Sequence, residues 1–256
     1  MSTPSHPDTF TNAWLEQKLA APAGSLMGFS AKSIGTGQMS LSFRLKLDWK
    51  AGEGPASIVA KCPSADPGTR AIAAALGSYA LELGWYRELA EKVGVACPKC
   101  LHLEANADES EFVLLLQDLA PAQQGDQLAG ASVAQIEAAL KQAARLHAPY
   151  WGDARLDDIA WLAPKPQVDA MIRQMLAPLY AQFRERYAAR IAPDLWTLAA
   201  NSSHAPATIS KRRRKRARSN TATCASTISY SRRMAQHTWW IGRRSAWALV
   251  LRTSRI

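Results

Sequence analysis

Residues 35–61 read GTGQMSLSFRLKLDWKAGEGPASIVAK, and this stretch decides the fold. Apolar and polar side chains alternate from Leu41 to Leu47, which is the period of a half-buried strand. Gly52 to Pro55 marks the next turn, and Ser57 to Lys61 is typical of another strand. Together with a short strand expected at Ser30 to Ile34, these segments predict an antiparallel β-meander.

The spacing of apolar residues changes after the meander. Apolar side chains recur every three or four residues from about Thr69 to Lys92, so the pattern predicts a single amphipathic helix. The continuous apolar run Glu111 to Leu116 suits a buried strand. Four more elements are predicted: a helix capped by Thr11 or Asn12, a strand at Leu101–Leu103, a helix from a Ser132/Gln135 capping box to near His147, and a helix from about Gln167 to Arg190, with Pro178 as a candidate kink.

These elements divide the chain into four segments of an α+β protein. We predict an N-terminal helix and extension over residues 1–24 and a strand-rich lobe over residues 25–119. A partial helical lobe is expected over residues 120–200, followed by a basic, poorly ordered tail over residues 201–256.

The net charge of +10 is unevenly distributed. Residues 1–200 contain 18 basic and 21 acidic residues, a net charge of −3, whereas residues 201–256 contain 13 basic and no acidic residues. A strongly basic chain usually indicates nucleic acid or an anionic membrane as partner. Because the excess is confined to the tail, the two parts need separate interpretations.

Composition also bears on the compartment. The chain has no run of eighteen apolar residues, so we expect no membrane span. Met1 to Phe10 is polar and does not have the pattern of a signal peptide. Four cysteines without such a signal predict reduced thiols and a cytoplasmic protein. Cys97 and Cys100 form a CxxC without a second pair nearby, so we expect buried or incidental cysteines rather than zinc ligands.

Three features point to phosphate chemistry. The turn Gly35, Thr36 and Gly37 lets backbone N–H groups approach a phosphate closely. Lys61 ends an apolar strand, from which its ammonium can reach the α- and β-phosphates of a nucleotide, and Glu82 on the next helix can hold Lys61 by an ion pair. Each feature has a structural alternative: a plain hairpin, an edge lysine or a solvated glutamate. Their order along the chain favours a nucleotide site.

The same segments resemble a known family. Over roughly residues 25–200 the chain resembles the ecdysteroid-kinase-like branch of the aminoglycoside/choline kinase superfamily. Six segments carry this resemblance: Gly35 to Arg44 (GTGQMSLSFR), Val59-Ala60-Lys61, Leu81 to Ala90 (LELGWYRELA), Phe112 to Pro121 (FVLLLQDLAP), Gly125-Asp126-Gln127 and Leu146-His147-Ala148.

The resemblance implies a two-lobed, protein-kinase-like fold and transfer of phosphate from ATP, with Mg²⁺, to the hydroxyl of a small-molecule alcohol. By the same resemblance Lys61 would bind phosphate and Glu82 would position Lys61. Gln117, Asp118 and Leu119 would form the hinge against adenine.

The family's catalytic motifs are missing from the chain. The family places His-Gly-Asp, then Asp-Asn, and later Asp-Trp in the second lobe, where they supply the catalytic base and the Mg²⁺ ligands. No Asp or Glu occurs after residue 200. We therefore assign no catalytic residue and no metal ligand, and expect the chain to be inactive, or at best to bind nucleotide weakly.

The tail has three interpretations. Residues 211–218 (KRRRKRAR), with Trp239 and Trp240 further on, are typical of a nucleic-acid-binding segment. A pseudokinase scaffold would need the tail to be expressed and folded. We favour a third hypothesis, in which the tail is the second lobe translated in another frame. Because Trp has one codon, Trp239-Trp240-Ile241 must encode Val-Asp in the shifted frame.

Other tail codons fit the same shift. Arg218 to Tyr230 permits T-L-Q-H-G-D-L-R-L-D-N-I-L, and Leu251 to Ser254 permits Pro-Asp-Leu-Ala. The family's motifs then follow in the correct order and spacing. We place the change of frame between Leu198 and Lys211.

Overall fold

Five strands form one antiparallel sheet in the computed structural model of this chain. The structure describes residues 3–35, 37, 39–50, 54–122, 130–151, 153–163, 165–192 and 195–196. Thr36, the predicted segment at residues 125–127 and the predicted disordered tail lie outside the described residues. The predicted α+β class is confirmed.

The strands follow the order β1-β2-β3-β5-β4 across the sheet. The predicted meander is confirmed, because β2 pairs antiparallel with both β1 and β3. β1 begins four residues earlier than predicted, since Leu26 already lies opposite Trp49 of β2. The strands are β1 (Leu26–Ser33), β2 (Ser40–Trp49), β3 (Ser57–Pro63), β4 (Cys100–Ala105) and β5 (Phe112–Gln117).

Helices precede and follow the strands along the chain, and two of them carry the predicted caps. Thr11 Oγ accepts a hydrogen bond from Trp14 N–H, and the Ser132/Gln135 capping box is present. The helices are α1 (Asn12–Lys18), α2 (Pro67–Leu76), α3 (Ser78–Gly84), α4 (Val133–His147) and α5 (Pro166–Tyr187), with a π-helical turn at Trp85–Leu89 and 3₁₀ turns at Pro7–Thr9, Ala148–Tyr150, Ala154–Asp158 and Ala160–Leu162.

The single helix predicted from Thr69 to Lys92 is wrong. Gly77 adopts a left-handed conformation, with φ of 67°, and its N–H caps α2 by donating to the Ala73 and Ala74 carbonyls. Glycine accepts this conformation without a steric penalty, so α2 ends there and α3 begins.

The sheet is buried on both faces at β5, which explains its continuous apolar run. Val113 and Leu115 belong to a core that includes Leu15 of α1. The alternate residue Phe112 faces the other side, where its ring contacts Tyr79 of α3 at a centroid distance of 4.9 Å. A strand covered on both faces needs apolar side chains at every position.

The chain divides into two compact units, one reaching Tyr150 and the other starting at Trp151. The first contains the sheet and α1 to α4. Within the described part of the second, α5 runs through Pro178 and its Tyr180 and Phe183 rings contact Trp196. The lobe boundary predicted between residues 119 and 120 lies inside the first unit, and the kinase-like division into lobes stays a prediction.

Candidate nucleotide site

Lys61 lies on the face of β3 opposite to α1. Ile58, Ala60 and Cys62 are fully buried in the core under α1, so the strand alternation places Lys61 and Val59 on the other face. Lys61 pairs across the sheet with Ser42 of β2 and Leu114 of β5. Its ammonium is therefore held on the central strand of the sheet rather than at an edge.

Glu82 of α3 meets Lys61 on this face. Lys61 Nζ donates to Glu82 Oε1 in an ion pair whose side chains are only 11% and 10% exposed. Removing one partner of such a pair leaves an uncompensated buried charge, so each side chain depends on the other. The pair fixes the Lys61 ammonium against α3.

The glycine turn is joined to the same part of the sheet. Gly35 adopts a left-handed conformation, with φ of 74°, directly after Ile34. Ile34 N–H donates to the Ser42 carbonyl at 2.8 Å, and Ser42 is the residue opposite Lys61. Gly37 is half-buried. The backbone ladder thus links the turn to the strand position of Lys61.

The predicted hinge begins at the end of β5. Gln117 lies opposite Ile58, three positions along β3 from Lys61, and its N–H donates to the Lys99 carbonyl at 2.9 Å. Its side chain is exposed, whereas Leu119 is half-buried. The sheet therefore places Gln117 and Lys61 on adjacent strands, and Asp118 and Leu119 directly follow β5.

The Asp118 side chain is hydrogen-bonded to other residues of the protein. Its carboxylate accepts hydrogen bonds from Arg44, from Ser57 Oγ at 2.7 Å and from Ala120 N–H at 3.0 Å. Burial by itself raises the pKa of Asp118, but the hydrogen bonds from Arg44, Ser57 and Ala120 outweigh it and leave the pKa below its usual value. The side chain therefore stays charged and fixes residues 117–120, which we call the linker.

The sequence interpretation missed three contributors to this region. In the sequence, Arg44 and Ser57 belong to predicted strands and Tyr79 to the apolar face of a predicted helix, and none of them is marked as a site residue. Tyr79 is buried, and its hydroxyl bonds to backbone at Met39 and Ser64. The alternation in β2 is the sequence signal for Arg44, because its polar residues mark the face of the sheet on which Lys61 lies.

The three cysteines in the described part of the chain are free thiols. Burial raises the pKa of Cys62 to about 12, and burial also raises the pKa of Cys97 and Cys100. Thiols with a raised pKa are weak nucleophiles and metal ligands. Among the described residues no group of three or more His, Cys, Asp or Glu side chains is arranged to hold a metal ion.

No protein-family model matches this chain, and no curated protein sequence matches it. No helix within the described ranges is long and apolar enough to cross a bilayer. The functional interpretation therefore depends on the geometry around Lys61 and Glu82 and on the sequence motifs.

Proposed function

We propose that this chain is the nucleotide-binding half of a small-molecule kinase of the ecdysteroid-kinase-like branch, and that it binds ATP without transferring its phosphate. The observation that carries the proposal is the buried Lys61–Glu82 ion pair on the sheet face opposite α1. A glycine turn is connected to the same strand position, as expected for a site that receives a triphosphate.

The ion pair is better explained by function than by stability. Burying two charges costs desolvation energy, and replacing such a pair by apolar side chains is often neutral or stabilising. A lysine that is held extended by a glutamate does, however, present a fixed cation to an anionic ligand. Such a fixed cation favours a ligand with several negative charges.

Three groups of described residues support a nucleotide-binding role. Backbone N–H groups at Gly35 and Gly37 would face the phosphates, and the Lys61 ammonium would neutralise them. Val59 is half-buried on the Lys61 face and offers an apolar surface to the base. The backbone at Gln117 to Leu119 would meet the edge of adenine.

Mg²⁺ and phosphate transfer do not fit the residues present. The described part of the chain contains no cluster of metal ligands, and the sequence after residue 200 contains no carboxylate side chain. No residue is available in the family's positions for catalytic base or metal ligand. The alcohol substrate therefore belongs to the parent family, and we derive no transfer step for this chain.

Titration calorimetry of ATP into the full chain tests the proposal. Because Lys61→Ala would leave Glu82 buried and unpaired, the informative variant is Lys61→Met combined with Glu82→Met, which keeps the side-chain volumes. We expect its affinity for ATP to fall by about tenfold or more, as for the loss of a charged hydrogen bond. Lys46→Met, at an exposed position of β2, is the matched control and should bind normally.

Equal ATP affinity in the wild-type chain and the folded double variant would overturn the proposal. Circular dichroism and the urea midpoint establish that the double variant is folded.

The tail supports one alternative function. Residues 201–256 contain 13 basic and no acidic residues, as in segments that bind nucleic acid. In that case binding to RNA or DNA would weaken steeply with salt, would vanish on deleting residues 201–256 and would be unaffected by the Lys61 and Glu82 substitutions. ATP binding that depends on Lys61 and Glu82, without nucleic-acid binding through residues 201–256, favours the kinase proposal.

A further inference from the structure

The Tyr79 hydroxyl connects α3 to two other backbone segments. Tyr79 is 3% exposed on α3, and its hydroxyl donates to the Met39 carbonyl while accepting from Ser64 N–H at 3.1 Å. Met39 lies between the glycine turn and β2, and Ser64 directly follows β3. A tyrosine hydroxyl has one donor and a limited acceptor capacity, so both of its roles are used here.

Tyr79 and Glu82 belong to the same surface of α3. They are three residues apart, which places them on neighbouring turns of one helix face. Tyr79 therefore bonds to the chain beside the glycine turn, and Glu82 bonds to Lys61. A movement of α3 away from the sheet would break both contacts together.

We infer that Tyr79 is a positioning residue, whose hydroxyl couples the backbone at Met39, beside β2, to the Lys61–Glu82 ion pair. The nucleotide consequence rests on the proposed function, whereas the coupling itself does not. A ligand that holds the Met39 segment in place would stabilise the ion pair, and by linkage an intact ion pair would hold that segment in place.

Packing alone predicts a different result. The Tyr79 ring contacts the Phe112 ring, and this contact needs no hydroxyl. Tyr79→Phe keeps the ring and removes only the two hydrogen bonds. The variant therefore separates a structural ring from a coupling hydroxyl.

Hydrogen exchange of the full chain without nucleotide tests the coupling. In Tyr79→Phe we expect amides in residues 39–42 and in residues 78–84 to exchange about five- to tenfold faster, as for the loss of one or two neutral hydrogen bonds. Amides of β5 (Phe112–Gln117) serve as the reference and should be unchanged. Tyr180→Phe is the matched control, because Tyr180 also donates to a backbone carbonyl, that of Trp196, at 3.4 Å.

Uniform acceleration that includes β5, or acceleration of only one of the two segments, would overturn the coupling. With ATP as probe, we expect Tyr79→Phe to weaken binding by about fivefold. Its effect should be less than additive with that of Glu82→Gln. If the wild-type chain binds no ATP, the proposed function fails, and the exchange result still decides whether Tyr79 couples the two segments.

Discussion

The Asp118 carboxylate lies against the Arg44 guanidinium, with Oδ2 2.7 Å from Nε and Oδ1 3.1 Å from Nη2. Arg44 belongs to β2, and Ser57, which also bonds to this carboxylate, begins β3. The Asp118 side chain, in the linker that follows β5, therefore bonds to both β2 and β3. In the proposed function the linker backbone contacts adenine, so this network would position the base.

Replacing Asp118 by asparagine is the first test of this network. Asp118→Asn keeps the shape of the side chain but loses the charge and one acceptor, so part of the Arg44 and Ser57 bonding is lost. We expect the free energy of unfolding in urea to fall by about 2 kcal/mol, the size of a hydrogen bond to a charged group. Asp48→Asn, on the exposed surface of β2, should change it by less than about 0.5 kcal/mol.

The pH dependence of the same variant is a second prediction. The pKa of Asp118 is lowered in the folded state relative to about 3.9 in an unfolded chain. A lowered carboxyl pKa stabilises the protein above the unfolded-state pKa, and this contribution is lost as pH falls through the folded-state pKa. The difference in unfolding free energy between wild type and Asp118→Asn should therefore be full above about pH 5 and shrink towards zero in stronger acid. A constant difference throughout the titration would contradict the assignment.

Sequence reasoning succeeded where the signal was local or periodic. Alternation predicted β2, the continuous apolar run predicted β5, and the order of the motifs placed Lys61 beside a helix that carries Glu82. It failed at Gly77, because a glycine inside an apolar period of three to four does not show whether it continues the helix or adopts a left-handed cap. The Asp118–Arg44 contact joins residues 74 positions apart, and nothing in one sequence marks such a pairing.

The Lys61–Glu82 pair should behave as a coupled unit in a thermodynamic cycle. We expect Glu82→Met alone to lower the unfolding free energy by about 3–5 kcal/mol, because it leaves a buried ammonium unpaired. Adding Lys61→Met should recover most of that loss. Glu137 and Lys141 form an exposed pair on α4, so the same cycle there should give a coupling of about 0.5 kcal/mol or less. Additive effects at Lys61 and Glu82 would contradict the buried pair.

Two exposed apolar side chains on α4 lead us to expect self-association. Ile136 and Leu140 are 50% and 64% exposed on one side of the helix, where they can meet apolar surfaces of other molecules. We expect the double variant Ile136→Lys and Leu140→Lys to bind less anilinonaphthalene sulfonate and to sediment closer to the monomer than wild type. Gln135 caps the same helix and Gln142 accepts a hydrogen bond from Ala96 N–H, so substituting either would confuse the result. Ala134→Lys, at an exposed position of α4, is the better control. Unchanged sedimentation of the Ile136 and Leu140 variant would show that this face does not drive association.

The hypothesis that the tail is translated in a shifted frame is tested by sequencing the encoding DNA. Sequencing across codons 195–256 should show that a shift between Leu198 and Lys211 places His-Gly-Asp, Asp-Asn and Asp-Trp codons in one open frame. The protein translated in that frame would regain carboxylates for a catalytic base and for Mg²⁺, so we expect ATP-dependent phosphate transfer from it and none from the present chain. The Lys61→Met and Glu82→Met substitutions should abolish this activity in the restored protein. If the alternative frame lacks those codons, the frame hypothesis fails, and binding of nucleic acid by the basic tail becomes the function to test.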